Sequence, residues 1–301
     1  MSQRIDSVLL PIDGSENVHP WVQRGIDIAA TLGADLHVLA VMDVRELDPS
    51  LSNLDDDDRG DREQQIETEI EQTAESVAGR ARTHLSSRIR TAVERGIPAE
   101  TITGYADSHG TDLIVMGSHG RGGLERALLG SVTERVLRTT SVPVIVIPRD
   151  DDDDEQGDGS YEDILLPTDG SENADVAVEW GIDLAGAYDA TIHTVYSVDT
   201  SRFAGIEGTD DLYDAIEETG QDVLESIRRR ARAADVSVAA TIGSGPAAQV
   251  LLSYSEDHDI DMIVMGTHGR SGIERYVVGS VTETVVRNAD VPVCCVPMAE
   301  L

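Results

Sequence analysis

Backbone amides can hold a phosphate where the chain turns sharply enough for several N–H groups to converge, and glycine permits such turns. The sequence contains this arrangement twice. Gly117-Ser118-His119-Gly120-Arg121 is followed by Gly130-Ser131-Val132, and Gly266-Thr267-His268-Gly269-Arg270 by Gly279-Ser280-Val281, with nine residues between the second and third glycines in both. Gly117, Gly120, Gly266 and Gly269 let the backbone approach a ligand with no Cβ in the way. Gly130-Ser131 and Gly279-Ser280 open helix-like runs whose free N–H groups and positive dipole ends suit a phosphate chain. Arg121 and Arg270 supply planar, permanently charged donors. A structural reading competes: Ser131-x-x-Glu134 and Ser280-x-x-Glu283 also fit a helix capping box, which needs no ligand.

The loops need strands before them and helices behind them. Apolar runs ending at Met116 and Met265 feed the two loops, and helices leave them. Ser7–Ile12 reads as a strand buried on both faces. Asp13-Gly14-Ser15-Glu16 then turns the chain, and Asp13, Ser15 or Asn17 could cap a helix that carries Trp21, Ile26, Ile28, Ala29 and Leu32 and stops near Gly33. A strand over 36–41 follows, then a polar excursion around Asp55–Asp58, then Ile66, Ile70, Val77, Ala81 and Leu85 at helical spacing. A weaker edge strand over 89–94, a helix opened by Pro98, the 112–116 strand with its loop, a helix over 132–138 and a strand over 142–147 complete the unit. The pattern predicts an α/β fold of two Rossmann-like domains. Each is a five-stranded parallel sheet in the order 3-2-1-4-5, with helices on both faces and the first and fourth strands adjacent at the switch point.

The same plan restarts after a charged, glycine-bearing stretch, giving domains at 1–149 and 161–301 joined by an acidic linker at 150–160. Asp13 and Asp169 stand 156 residues apart and Gly117 and Gly266 stand 149 apart, so the second copy has lost residues, most simply from the acidic excursion. The 301 residues carry a formal net charge of −34, and all 23 basic residues are arginine. Acids spread through periodic, core-bearing segments predict adaptation to a salt-rich cell interior, where the Debye length falls to about 3 Å at 1 M. No basic patch supports nucleic-acid binding. No apolar run approaches a membrane span and the first residues lack a signal segment, so a cytoplasmic protein is expected. Cys294 and Cys295 are sequence neighbours, which disfavours a disulfide between them and suits packing roles.

The full Gly-x-x-Gly-(x9)-Gly-Ser spacing after a strand, with Pro11-Ile12-Asp13-Gly-Ser at the end of the first strand and Val142-Pro-Val at the last, resembles the ATP-binding, UspA-like branch of the universal stress protein family. The resemblance spans nearly the whole chain, twice. It implies that Pro11, Ile12, Asp13 and Val41 border an adenosine, while Gly120, Arg121, Gly130, Ser131 and Val132 face the phosphates; Met116, Gly117 and His119 are counted among the nucleotide-binding residues with them. The matching positions in the second copy are Pro167, Thr168, Asp169, Ser197, Met265, Gly266, His268, Gly269, Arg270, Gly279, Ser280 and Val281. It also implies ATP as ligand, with Mg2+ or Mn2+ arriving on the triphosphate. The two domains are expected to pair as an internal dimer through their last strands, and to pair again as a homodimer.

Asp13 and Asp169 have both a capping and a nucleotide reading; their place at the switch point favours the nucleotide. His119 and His268 have no second ligand at metal spacing and read as hydrogen-bonding loop residues. No Walker lysine motif, nucleophile elbow or Ser/His/Asp set is visible, so no catalytic residue is assigned. The expectation is a non-enzymatic nucleotide sensor in a stress response. The alternatives are a scaffold or chaperone-like protein with empty loops, and a slow ATPase or self-phosphorylating protein on the same fold.

Overall fold

Continuous apolar runs alternating with amphipathic helices bury their surface best as parallel strands covered on both faces. The computed structural model describes residues 4–14, 19–45, 56–119, 129–148, 159–198, 210–268 and 278–298. The chain divides into two compact units, Ile5–Gly159 and Ser160–Leu301. The first contains β1 (Ser7–Ile12), α1 (Pro20–Leu32), β2 (Asp35–Asp43), α2 (Asp56–Ala81), β3 (Ile89–Gly96), α3 (Pro98–His109), β4 (Leu113–Gly117), α4 (Ser131–Thr139) and β5 (Val144–Ile147). The second contains β6 (Asp163–Thr168), α5 (Glu172–Tyr188), β7 (Thr191–Val198), α6 (Asp210–Ala233), β8 (Val238–Ser244), α7 (Ala247–Asp257), β9 (Met262–Gly266), α8 (Ser280–Asn288) and β10 (Val293–Val296).

Parallel pairing gives the order β3-β2-β1-β4-β5 in the first unit. The second unit repeats it as β8-β7-β6-β9-β10. Val8, Leu9 and Leu10 of β1 and Leu113, Ile114 and Val115 of β4 are fully buried, as expected for central strands. β3 has no buried residue, being half-buried or exposed throughout, in keeping with an edge. In α1, a Cβ on Gly25 would lie 2.5 Å from Leu10 Cδ1, so the glycine lets the helix settle onto β1.

Two local expectations need correction. Asp56–Asp58 do not lie in an irregular excursion; the backbone there is already helical, at the start of α2, while Asp55 lies outside the described residues. Leu85 stands past the end of that helix, yet remains buried. The shortening of the second copy falls in this region. β2 and β7 still correspond at 156 residues (Val41 and Ser197), whereas β3 and β8 correspond at 149 (Arg90 and Ala239 opposite His37 and His193).

At the amino-terminal ends of the strands, one carboxylate ties each unit together. Asp112 accepts from the Asp6 and Ser7 N–H groups, both at 2.9 Å, and Asp261 accepts from Glu162 and Asp163 at 2.8 and 2.9 Å. Asp112→Ala is expected to lower stability by about 2 kcal/mol in denaturant titrations, since bonds to a charged acceptor are lost together.

A ring cluster that the sequence reading did not single out also occurs twice. Tyr105 stacks on His109 with centroids 3.9 Å apart and its hydroxyl lies 3.2 Å from His37 Nδ1. Tyr254 stacks on His258 at 3.8 Å with its hydroxyl 3.1 Å from His193 Nδ1. His193 Nε2 also meets Asp163 at 2.9 Å. Burial pushes His37 below the usual histidine range, Arg90 and His109 add to this, and Asp35 opposes it. The unfolded chain therefore takes up the proton more readily. The His37 contribution to stability should be complete above about pH 6.5 and lost as the pH falls below it toward the lowered value. His37→Asn is expected to flatten the dependence of melting temperature on pH in this window; an unchanged slope would count against it.

Candidate functional site

The site begins where two central strands part. β1 and β4 pair only at Val8 with Leu113 and Leu9 with Ile114, and both continue three residues further, to Ile12 and Gly117. At about 3.3 Å per residue, this leaves a crevice roughly 10 Å deep at their carboxyl ends. β6 and β9 part in the same way after Leu165 and Ile263.

Pro11 and Ile12 end β1 and are buried, Asp13 follows half-buried, and Val41 stands near the end of the neighbouring β2. His19 Nε2 lies 3.6 Å from Asp13 Oδ2. His19 is the N-cap residue of α1, its own side chain makes no capping bond, and Pro20 opens the helix. Ser15 and Asn17 lie outside the described residues. The second unit differs. Ser171 caps α5 by accepting from the Ala174 N–H at 3.2 Å, and Asp169 Oδ1 accepts from the Ser171 N–H at 3.0 Å. Thr168 is buried and accepts from the Gly170 N–H, while Pro167 is half-buried beside it. Ser197 turns its hydroxyl onto the Gly245 carbonyl at 3.1 Å, which leaves a more polar wall than Val41 gives.

On the other side of the crevice, three hydrogen bonds hold the glycine turn, and they are the same in both units. The Ser118 N–H donates to the Ile147 carbonyl at 2.8 Å, the Gly130 N–H to the Ser118 carbonyl at 2.8 Å, and the Thr133 hydroxyl to the Gly117 carbonyl at 2.9 Å. Their counterparts are Thr267 to Val296 at 2.8 Å, Gly279 to Thr267 at 2.7 Å, and Thr282 to Gly266 at 2.9 Å. The carbonyls of Gly117 and Ser118 are thus engaged with α4. Acceptors that would repel an anion are taken up beside the positive end of the helix.

The place of the helix start overturns the capping-box reading. Gly130 and Gly279 are the N-cap residues, in extended conformations, and as glycines they bring no capping side chain of their own. Ser131 and Ser280 are the first helical residues and are exposed, with Val132 and Val281 half-buried behind them. Glu134 and Glu283 each pair with an arginine one turn on, Arg138 and Arg287, both at 2.9 Å. Glycine at the N-cap is not demanded by torsion angles here. At Gly279 the reason is closeness: a Cβ would lie 3.2 Å from the Thr267 carbonyl oxygen.

Met116 and Met265 are buried at the ends of β4 and β9. His119 Nδ1 is hydrogen-bonded to Ser118 Oγ at 3.0 Å and His268 Nδ1 to Thr267 Oγ1 at 2.9 Å, which gives both histidines a loop-bonding role. Gly120, Arg121, Gly269 and Arg270 lie outside the described residues. Among the described residues, no group of three or more His, Cys, Asp or Glu gathers as a cation site. No helix there is long and apolar enough to cross a membrane. The sequence reading passed over Ser118, Thr133, Thr267 and Thr282 as site residues, although both copies carry a threonine three residues past Gly130 and Gly279. It also read Trp21 only as a helix residue.

The two units define a tandem pair of doubly wound α/β folds, each with a glycine-walled crevice at its switch point. The chain belongs to the universal stress protein family, whose model matches residues 4–148 and 160–297. Universal stress protein MJ0531 of Methanocaldococcus jannaschii is 36% identical over 143 residues, covering 46% of this chain and 84% of that protein. Universal stress protein Rv2005c of Mycobacterium tuberculosis is 30% identical over 190 residues; the match takes in 62% of each chain. A crystal structure of a universal stress protein from Archaeoglobus fulgidus shares the fold along 99% of this chain and 98% of its own, with a TM-score of 0.68 at 22% identity.

Proposed function

We propose that each repeat binds ATP at the carboxyl ends of its first and fourth strands, as a sensor of the nucleotide in a stress response. In this reading Pro11, Ile12, Asp13 and Val41 border the adenosine. The polyphosphate lies over the turn from Gly117 to Gly130 and against the first amides of α4, with Arg121 as its cationic partner. Mg2+ or Mn2+ would come with the triphosphate. The observation that carries the reading is the helix start with a glycine N-cap at Gly130 and again at Gly279, held beside the crevice by one repeated set of hydrogen bonds. A helix start whose N-cap residue has no side chain offers N–H groups and positive potential to an anion. Asp169 accepts from the Ser171 N–H, so in this reading the second repeat presents its aspartate to the nucleotide already tied to the turn.

No residue is assigned to bond breaking; ATP is read out by occupancy. Pairing of the two repeats through their last strands, a cytoplasmic location and adaptation to high salt belong to the same proposal. Mass spectrometry of small molecules released from protein purified in molar KCl tests the ligand. Adenine nucleotide at near-stoichiometric amounts is expected, and ligand of unrelated chemistry would displace the reading.

A further inference from the structure

Trp21 stands in the first turn of α1, beside the crevice of the first repeat. Its Nε1 is buried and has no hydrogen-bond partner among the described residues. The ring presses on the last residue of β4: a Cβ on Gly117 would lie 2.7 Å from Nε1 and 2.9 Å from Cδ1 and Cε2. An indole N–H has no acceptor function and one bond to give, and leaving it unmade in a buried place costs stability. The repeat offers a comparison. The register set by Gly25-Ile26-Asp27 against Gly181-Ile182-Asp183 puts Ala177 at the Trp21 position. There the last residue of β9, Gly266, faces the Asn173 carbonyl oxygen, 3.3 Å from where its Cβ would be. The fold thus closes this corner without an indole in one repeat and holds an unused donor there in the other.

We propose that the Trp21 N–H is a ligand-directed donor, which hydrogen-bonds an oxygen of the ribose–phosphate part of the nucleotide bound in the first repeat. This rests on the ATP reading above and deepens it. The donor is attached to the turn that leads into the glycine loop, so an oxygen drawn into the crevice beside Gly117 supplies the acceptor that the protein withholds. The second repeat, with Ala177, has no such donor, and the two sites therefore differ in affinity for the same nucleotide.

Trp21→Phe keeps a ring against Gly117 and removes the N–H. Its two expected effects have opposite signs. The free protein gains about 2–4 °C in melting temperature, because an unsatisfied donor is gone. ATP affinity of the first site falls about tenfold, because a bond to the ligand is gone. Calorimetric titration with ATP in molar KCl, in a Gly279→Asp background, reads the first site alone. If the parent protein binds no ATP, the nucleotide reading itself fails. If the parent binds and Trp21→Phe binds equally well, only the role of Trp21 is overturned. Adenosine as a second probe refines a positive result: a loss seen with ATP alone assigns a phosphate oxygen, and a loss with both assigns the ribose. Should Trp21→Phe not fold, Trp21 emission in a Trp180→Phe background carries the test. A saturable change on ATP addition is expected, and unchanged emission at saturating ATP overturns the proposal.

Discussion

Replacing Gly130 and Gly279 together by aspartate is expected to weaken ATP binding at least a hundredfold while leaving the protein as stable as before or slightly more so. Both residues are N-caps with φ near −60°, a conformation open to any amino acid. Aspartate is among the best N-cap residues, and gaining one in place of glycine contributes roughly a few tenths of a kcal/mol to a helix. The close Thr267 carbonyl, 3.2 Å from a Cβ at position 279, offsets part of this in the second repeat. For the ligand the change is adverse in every term. A carboxylate takes the first-turn amides and places a negative charge where the phosphates lie. Two unit charges about 4 Å apart repel by about 4 kcal/mol at an effective dielectric of 20. A hundredfold loss, about 2.7 kcal/mol, therefore allows for screening in concentrated salt. Parallel melting curves and binding titrations check the expectation. Unchanged affinity would place the ligand elsewhere, and loss of folding would show that these glycines serve the fold.

The second large effect concerns salt. Transfer from molar KCl to dilute buffer is expected to unfold the protein reversibly, with Cys294 and Cys295 as built-in reporters. Both thiols are fully buried in β10. Burial pushes Cys294 up to about 12 and Cys295 well above the usual thiol range, the neighbouring sulfur adding to the latter. Only thiolate reacts with a disulfide reagent, so at pH 8 ionisation alone slows the native protein about a thousandfold. The net charge of −34 supplies the driving force for opening. Screening lengths grow from about 3 Å at 1 M to about 10 Å at 0.1 M salt, and repulsion between acidic helices grows with them. Both thiols should titrate rapidly in dilute buffer and become protected again when KCl is restored. Continued protection in dilute buffer, with unchanged circular dichroism, would contradict the salt-adapted reading.

Much of the fold was legible because its signals are short-range. Buried strands read as unbroken apolar runs, Pro98 marked the first position of α3, and Gly33 closed α1 in the left-handed conformation. Duplication allowed each reading to be checked against its copy. The misreadings came where two local signals compete for the same residues. Ser131-x-x-Glu134 satisfies a capping pattern, but Glu134 finds Arg138 down the helix and Gly130 takes the cap position. Asp56–Asp58 look like a loop by charge alone, and their helical backbone appears only once α2 is seen to extend that far. The partners of Trp21, Thr133 and His37 lie 96, 16 and 68 residues away along the chain, at Gly117 for the first two and Tyr105 for the third. Contacts at such separations leave no periodic trace; only the recurrence of threonine and of the His–Tyr–His set in both copies could have pointed to them.

The most direct measurement is calorimetric titration of the full chain with ATP in molar KCl, beside the Gly130→Asp/Gly279→Asp protein. Saturable binding to the wild type that vanishes in the double variant is the expected result. No binding to the wild type at ATP concentrations up to about 1 mM, the range of weak specific ligands, would contradict a nucleotide role for the paired glycine turns.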